Sequence, residues 1–144
     1  MNLEQRRRAG YTLTEMLVVI GIIALIAAVL APALVGQMSR ARAKAARIQL
    51  DTVVSAVETF SDDVGRYPTN EEGVAALLKQ PAGSEGWLGP YLRGDKAGKD
   101  PWGQTFLYEL SGDGLHFKVR SLGADRRAGG TGANADLTAP ADIE

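Results

Sequence analysis

The sequence predicts an α+β fold. One long N-terminal helix, transmembrane in its first half and amphipathic in its second, packs on a small antiparallel β-sheet, and a glycine-rich loop closes the chain. Three observations predict it. No charged residue occurs from Met16 to Ser39. Apolar residues then recur at three- and four-residue spacing from Ile48 to Phe60, the period of a half-buried helix. Two short runs, Thr105–Leu110 and Leu115–Arg120, flank Ser111-Gly112-Asp113-Gly114 and read as a hairpin.

A chain of 144 residues holds one small domain plus an apolar segment. Its formal net charge of -1 points away from nucleic acid as a partner. There is no cysteine, which excludes a disulfide framework, a cysteine nucleophile and thiolate metal sites. His116 is the only histidine. That rules out multi-histidine metal centres and leaves little for a histidine-based triad. No nucleophile-base pair or paired-carboxylate site is recognisable, so the chain does not read as an enzyme.

The first element is the apolar run. Its 24 uncharged residues make a helix of roughly 36 Å, against a hydrocarbon core of about 30 Å. From Leu17 to Leu30 apolar side chains face every direction, so no polar stripe interrupts it. Two readings fit. In one, Ala31-Pro32-Ala33 is the small-residue cleavage site of an ordinary secretory signal. In the other, the helix is retained and only a basic leader, residues 1–10 with Arg6, Arg7 and Arg8, is removed between Gly10 and Tyr11. Glu15 then lies close to a new terminal amine. A charged side chain at the bilayer centre costs about 2.5–3.5 kcal/mol and is usually kept where it has a partner. In a bundle of parallel helices, a neighbour's terminal ammonium supplies that partner and fixes the axial register. The plainer alternative seats Glu15 among headgroups with no specific role. Arg40, Arg42, Lys44 and Arg47 follow the run and rival the leader arginines, so charge alone does not fix orientation. They read as a solvated or headgroup-facing surface, or as charges pairing between stacked subunits.

The helix continues amphipathically through Ile48, Leu50, Val53, Val54, Val57 and Phe60, with a break or kink expected near Pro32 and Gly36. Gly65 stops it and Pro68 prevents resumption. Thr69-Asn70-Glu71-Glu72 has capping-box spacing and opens a short helix over Val74–Leu78. Residues 80–103 are rich in glycine and proline. Trp87, Leu88, Tyr91 and Leu92 are expected to plug this loop onto the long helix, and Lys99–Gly103 is a turn. In the second strand Leu115, Phe117 and Val119 share the inward face, which leaves His116 exposed. In the tail, Asp125 and Asp136 bracket glycines that let the backbone curl and turn its carbonyls inward. This is either a flexible end or a loop for a hard cation, which takes six to eight oxygen ligands, often carbonyls. Gly130–Ala135 also fits a dinucleotide fingerprint, but no strand-to-helix unit surrounds it.

The run Ala9-Gly10-Tyr11-Thr12-Leu13-Thr14-Glu15 ahead of the apolar segment resembles the processing signal of the type IV pilin-like superfamily. Arg66–Gly73, Asp100-Pro101-Trp102-Gly103 and Ser121–Asp136 look like the corresponding segments of major pseudopilins of type II secretion systems. The resemblance covers nearly the whole chain. It implies a pilin-like fold, in domain terms a cleaved leader (1–10), a transmembrane half-helix (11–35), an amphipathic half-helix (36–64) and a periplasmic globular domain (65–144). It implies a structural subunit that polymerises with copies of itself into a periplasmic pseudopilus and helps export folded proteins across the outer membrane. Prepilin peptidase cleavage between Gly10 and Tyr11, N-methylation of Tyr11 and assembly through Glu15 follow from it. So do contacts with minor pseudopilins and an inner-membrane platform. The resemblance also implies a location in the inner membrane, single-pass, with the globular domain in the periplasm. Carried over residue by residue, Ca²⁺ falls to the Asp125 and Asp136 side chains, the Leu122 carbonyl and, with less weight, Asn134. Tyr11 stands where phenylalanine is usual, Arg126 and Arg127 where a glycine and a polar residue are common, and Ala133 often has an acidic counterpart. A type IV pilus subunit and a secreted protein with a cleaved signal are the alternative readings. The absence of cysteine speaks against the many pilins closed by a C-terminal disulfide.

Overall fold

The structure, a computed structural model, describes residues 11–94 and 97–140. Helix α1 spans Leu13–Val64, followed by a 3-10 helix at Gly73–Leu77, strands β1 (Leu107–Leu110) and β2 (Phe117–Ser121), a 3-10 turn at Gly132–Asn134, and strand β3 (Leu137–Ala139). The chain divides into two compact units between Met38 and Ser39. In the first, every described residue is exposed, from Tyr11 to Met38. The helix runs through Pro32 and Gly36 as one element, so it is not broken there. Proline lacks a donor, but the loss of one bond does not end a helix otherwise built from strong formers.

In the second unit, α1 buries one stripe: Ala46, Leu50, Val53, Ala56, Val57 and Phe60. Leu50, Val57 and Phe60 are wholly inaccessible. Ile48, expected on this stripe, is 59% exposed, because two positions before Leu50 on a helix is another face. From Leu50 to Phe60 the stripe packs with Val74, Leu77, Leu92, Phe106, Phe117, Val119 and Ala139 in one continuous core.

The helix ends as the glycine dictates. Gly65 sits at φ 78° and its N–H reaches the Ser61 carbonyl at 2.8 Å, a left-handed stop that costs a side chain but not glycine. The capping box forms as spaced: the Glu72 N–H donates to Thr69 Oγ1 (3.2 Å) and the Thr69 N–H to Glu72 Oε2 (2.9 Å). Glu72 also receives both arms of Arg66, at 2.7 and 2.8 Å. Arg66 reaches Ser84 Oγ as well (3.2 Å) and lies over the Phe60 ring. One bidentate pair thus ties the helix exit to the 3-10 helix and the following loop. The Arg66 hydrogen bonds hold the Glu72 carboxyl below its usual range.

Trp87 and Tyr91 plug the loop onto the core as expected. Tyr91 meets Phe60 edge-on at 5.8 Å and donates its hydroxyl to Asp63 Oδ2 at 2.8 Å. The Trp87 indole donates to the Ala76 carbonyl (2.9 Å). Leu88 takes no part and is 78% exposed.

The sheet order is β1-β2-β3, antiparallel throughout. β2 alternates as predicted, with Phe117, Val119 and Ser121 inside. Leu115 lies before the strand and is 70% exposed, so the alternation does not extend to it. His116 is exposed and hydrogen-bonds Asp113 through Nδ1 at 3.0 Å. β3 was not foreseen. It pairs Ser121↔Leu137, Arg120↔Thr138 and Val119↔Ala139, and Arg47 of α1 donates to the Thr138 carbonyl (3.3 Å).

Glu72→Gln should lower stability by about 1–2 kcal/mol at pH 7, a modest figure because the pair is partly exposed. A carboxyl held low in the folded state stabilises above its unfolded value, about 4.3, and loses that contribution as pH falls through the folded value. The gap between wild type and variant should therefore close in acid. Denaturant unfolding of the detergent-solubilised chain at pH 7 and pH 3 measures it; equal gaps at both would refute the linkage.

Candidate functional site

Two regions carry the residues singled out by sequence: the start of α1 and the loop between β2 and β3. Gly10 lies outside the described residues. Tyr11 and Thr12 precede the helix without regular structure. Thr12 Oγ1 accepts the Glu15 N–H at 3.1 Å, an N-cap that satisfies one of the donors a helix start leaves open. Glu15 falls in the first turn, where the helix dipole favours a carboxylate. It is exposed, as are the apolar side chains after it. The segment is long and apolar enough to cross a bilayer.

The second region is built on a buried carboxylate. Asp100 is 4% exposed. Its Oδ1 accepts the N–H groups of Trp102 (3.0 Å) and Gln104 (2.9 Å), which closes the Asp-Pro-Trp-Gly turn. Its Oδ2 accepts the Ser121 hydroxyl at 2.8 Å. Gln104 Nε2 donates onward to the Gly123 carbonyl (3.0 Å). The turn therefore grips the end of β2 and the start of the loop. An aspartate two residues before a donor is a familiar turn signal; its tie to Ser121, 21 residues on, has no local signal.

The loop closes on itself at its base, where the Ala124 N–H donates to the Ala133 carbonyl at 3.0 Å. Gly123, at φ 69°, leaves no room for a side chain: a Cβ there would lie 2.8 Å from the Asn134 carbonyl carbon. Asp125 Oδ1 accepts the Arg127 N–H (3.1 Å). Arg126 has a left-handed backbone, φ 61°, the only non-glycine residue so placed among those described. Asp136 Oδ1 is buried with no protein donor, an acceptor whose desolvation nothing in the chain offsets. Leu122 and Asn134 flank the same base. Among the described residues, no group of three or more His, Cys, Asp or Glu side chains could hold a metal. Any cation here must rest on two carboxylates and on carbonyl oxygens.

The family model described as "Type II secretion system (T2SS), protein G" matches residues 33–140. The chain belongs to the type II secretion system protein G family. A second model, the prokaryotic N-terminal methylation motif, matches residues 5–31, across Gly10, Tyr11 and Glu15. The type II secretion system core protein G of Xanthomonas campestris pv. campestris is 36% identical over 130 residues, covering 90% of this chain and 88% of the relative. Those of Pseudomonas aeruginosa and Vibrio cholerae are 31% and 32% identical, over 94% and 93% of this chain and 96% and 92% of theirs. The crystal structure of the major pseudopilin from the type 2 secretion system of enterohaemorrhagic Escherichia coli superposes with a TM-score of 0.53 at 23% identity, over 74% of this chain and 92% of that one. It carries the fold, a long apolar helix with a small antiparallel sheet. Membership in the protein G family favours the pseudopilin reading over a type IV pilus subunit or a secreted protein with a cleaved signal.

Asp100→Ala strands three donors and should cost about 2–4 kcal/mol. A double-mutant cycle with Ser121→Ala, read by denaturant unfolding, should show positive coupling; strict additivity would remove Asp100 as the link between turn and loop.

Proposed function

We propose that this chain is a non-catalytic structural subunit, the major pseudopilin, which polymerises through its N-terminal helices into the periplasmic pseudopilus and helps export folded proteins across the outer membrane. The observation that carries the reading is a helix whose first residues match the methylation motif and whose side chains from Met16 to Met38 are exposed and uncharged. Such a surface needs lipid or other apolar helices around it. It has lipid before assembly, with the chain single-pass in the inner membrane and its globular domain in the periplasm. It has copies of itself afterwards.

Prepilin peptidase would cut between Gly10 and Tyr11, and Tyr11 would be N-methylated. Glu15, capped into the first turn by Thr12, would then meet a neighbour's Tyr11 ammonium. A pair of opposite charges in a low-dielectric bundle tolerates little axial error, so it sets register. Minor pseudopilins and the inner-membrane assembly platform would be the other partners.

The loop fits calcium on one particular count. Asp136 Oδ1 is a buried acceptor without a donor, and a hard cation satisfies it. Asp125 and Asp136 would supply carboxylates, Leu122 a carbonyl, and Asn134 a further oxygen. Calcium bound there would stabilise the folded loop by mass action.

Mass spectrometry of the mature chain should find Tyr11 at the N-terminus with one added methyl; a start after Ala33 would overturn the assignment. Glu15→Ala should leave leader cleavage intact and cut fibre yield by about tenfold or more, the scale of a lost charge pair. Wild-type fibre levels would take Glu15 out of assembly.

A further inference from the structure

The loop from Leu122 to Asp136 holds two carboxylates, Asp125 and Asp136, and two guanidinium groups, Arg126 and Arg127. The four charges cancel. Both arginines are exposed and follow Asp125 directly. The Asp125 carboxylate accepts the Arg127 backbone N–H, so the arginine pair lies in the turn that this acid closes. Arg126 is held in the left-handed region at φ 61°, a conformation that disfavours any side chain. The arginine pair thus belongs to the same loop as the one buried carboxylate oxygen left without a donor among the described residues.

We propose that Arg126 and Arg127 set the cation affinity of this loop. They hold it in the range of about 10⁻⁴–10⁻³ M, where occupancy follows the calcium around the cell rather than staying saturated. This rests on the calcium reading above. The mechanism is electrostatic. A doubly charged cation approaching a loop of zero net charge gains nothing at long range. Two positive charges directly after a ligand in sequence, Asp125, oppose a cation's approach and lower affinity by on the order of tenfold. The backbone at Arg126 is a separate contribution, which a side-chain change that keeps the residue non-glycine leaves in place.

The test is a calcium chloride titration of the full chain in detergent, read as the thermal midpoint. Wild type is compared with the charge-removing R126Q/R127Q and the charge-keeping R126K/R127K, with Asp136→Asn to remove the orphaned carboxylate. The expected result is a wild-type half-effect near millimolar calcium. R126Q/R127Q should shift it at least about tenfold lower, R126K/R127K should match wild type, and Asp136→Asn should respond weakly or not at all. Added sodium chloride should narrow the difference between wild type and R126Q/R127Q. Equal half-effects in wild type and R126Q/R127Q would overturn the role of the arginines and leave the calcium reading standing. No calcium response in either protein would overturn both.

Discussion

Leu50, Val53, Val57 and Phe60 form the stripe on which everything after Val64 is assembled. Three strands of three to five residues cannot stand alone in water. They persist because one face of the sheet, through Phe117, Val119 and Ala139, has this stripe to bury against. The loops obey the same constraint. Residues 80–94 have little regular structure of their own, yet Trp87, Tyr91 and Leu92 are drawn into the same core. Their polar atoms find partners at Ala76 and Asp63.

Polar nodes then give this apolar assembly a single arrangement. Arg66 and Glu72 fix how the chain leaves the helix. Asp100 fixes how the turn before β1 meets the end of β2. Each node serves two segments far apart in sequence, and each buried charge or hydroxyl in it is matched by hydrogen bonds. The exception is Asp136 Oδ1. Among the described residues it is the one buried side-chain acceptor without a donor, and it sits in the glycine-rich loop between β2 and β3.

Much of this was legible in the sequence because the physics there is local. The apolar run, the three- and four-residue spacing, Gly65 as a stop and the Thr69/Glu72 box each act within a turn or two of helix. The processing motif was equally local, and the family match confirms the reading it suggested. What was not legible is what depends on distant pairing. β3 is three residues long, Leu137-Thr138-Ala139, too short for alternation to show, and it is a strand only because β2 lies beside it. Leu115 read as inward by strand alternation and Leu88 as part of the loop's apolar plug. Leu115 is exposed because β2 begins two residues later, and Leu88 because it falls between the inward-facing Trp87 and Tyr91. Asp100 was read as part of a turn, and its second grip, on Ser121, could not be read from spacing.

The placement of β3 bears on how the chain is made. β3 follows the other elements in sequence and supplies Ala139 to the core, with Arg47 of α1 held to Thr138. During synthesis the apolar helix emerges first and can enter a membrane long before its globular part can close. A chain cut short before Leu137 would carry an intact processing signal and an intact span, but β2 would keep an open edge, an invitation to mispairing. Completion of the core therefore waits on β3, the most C-terminal strand among the described residues.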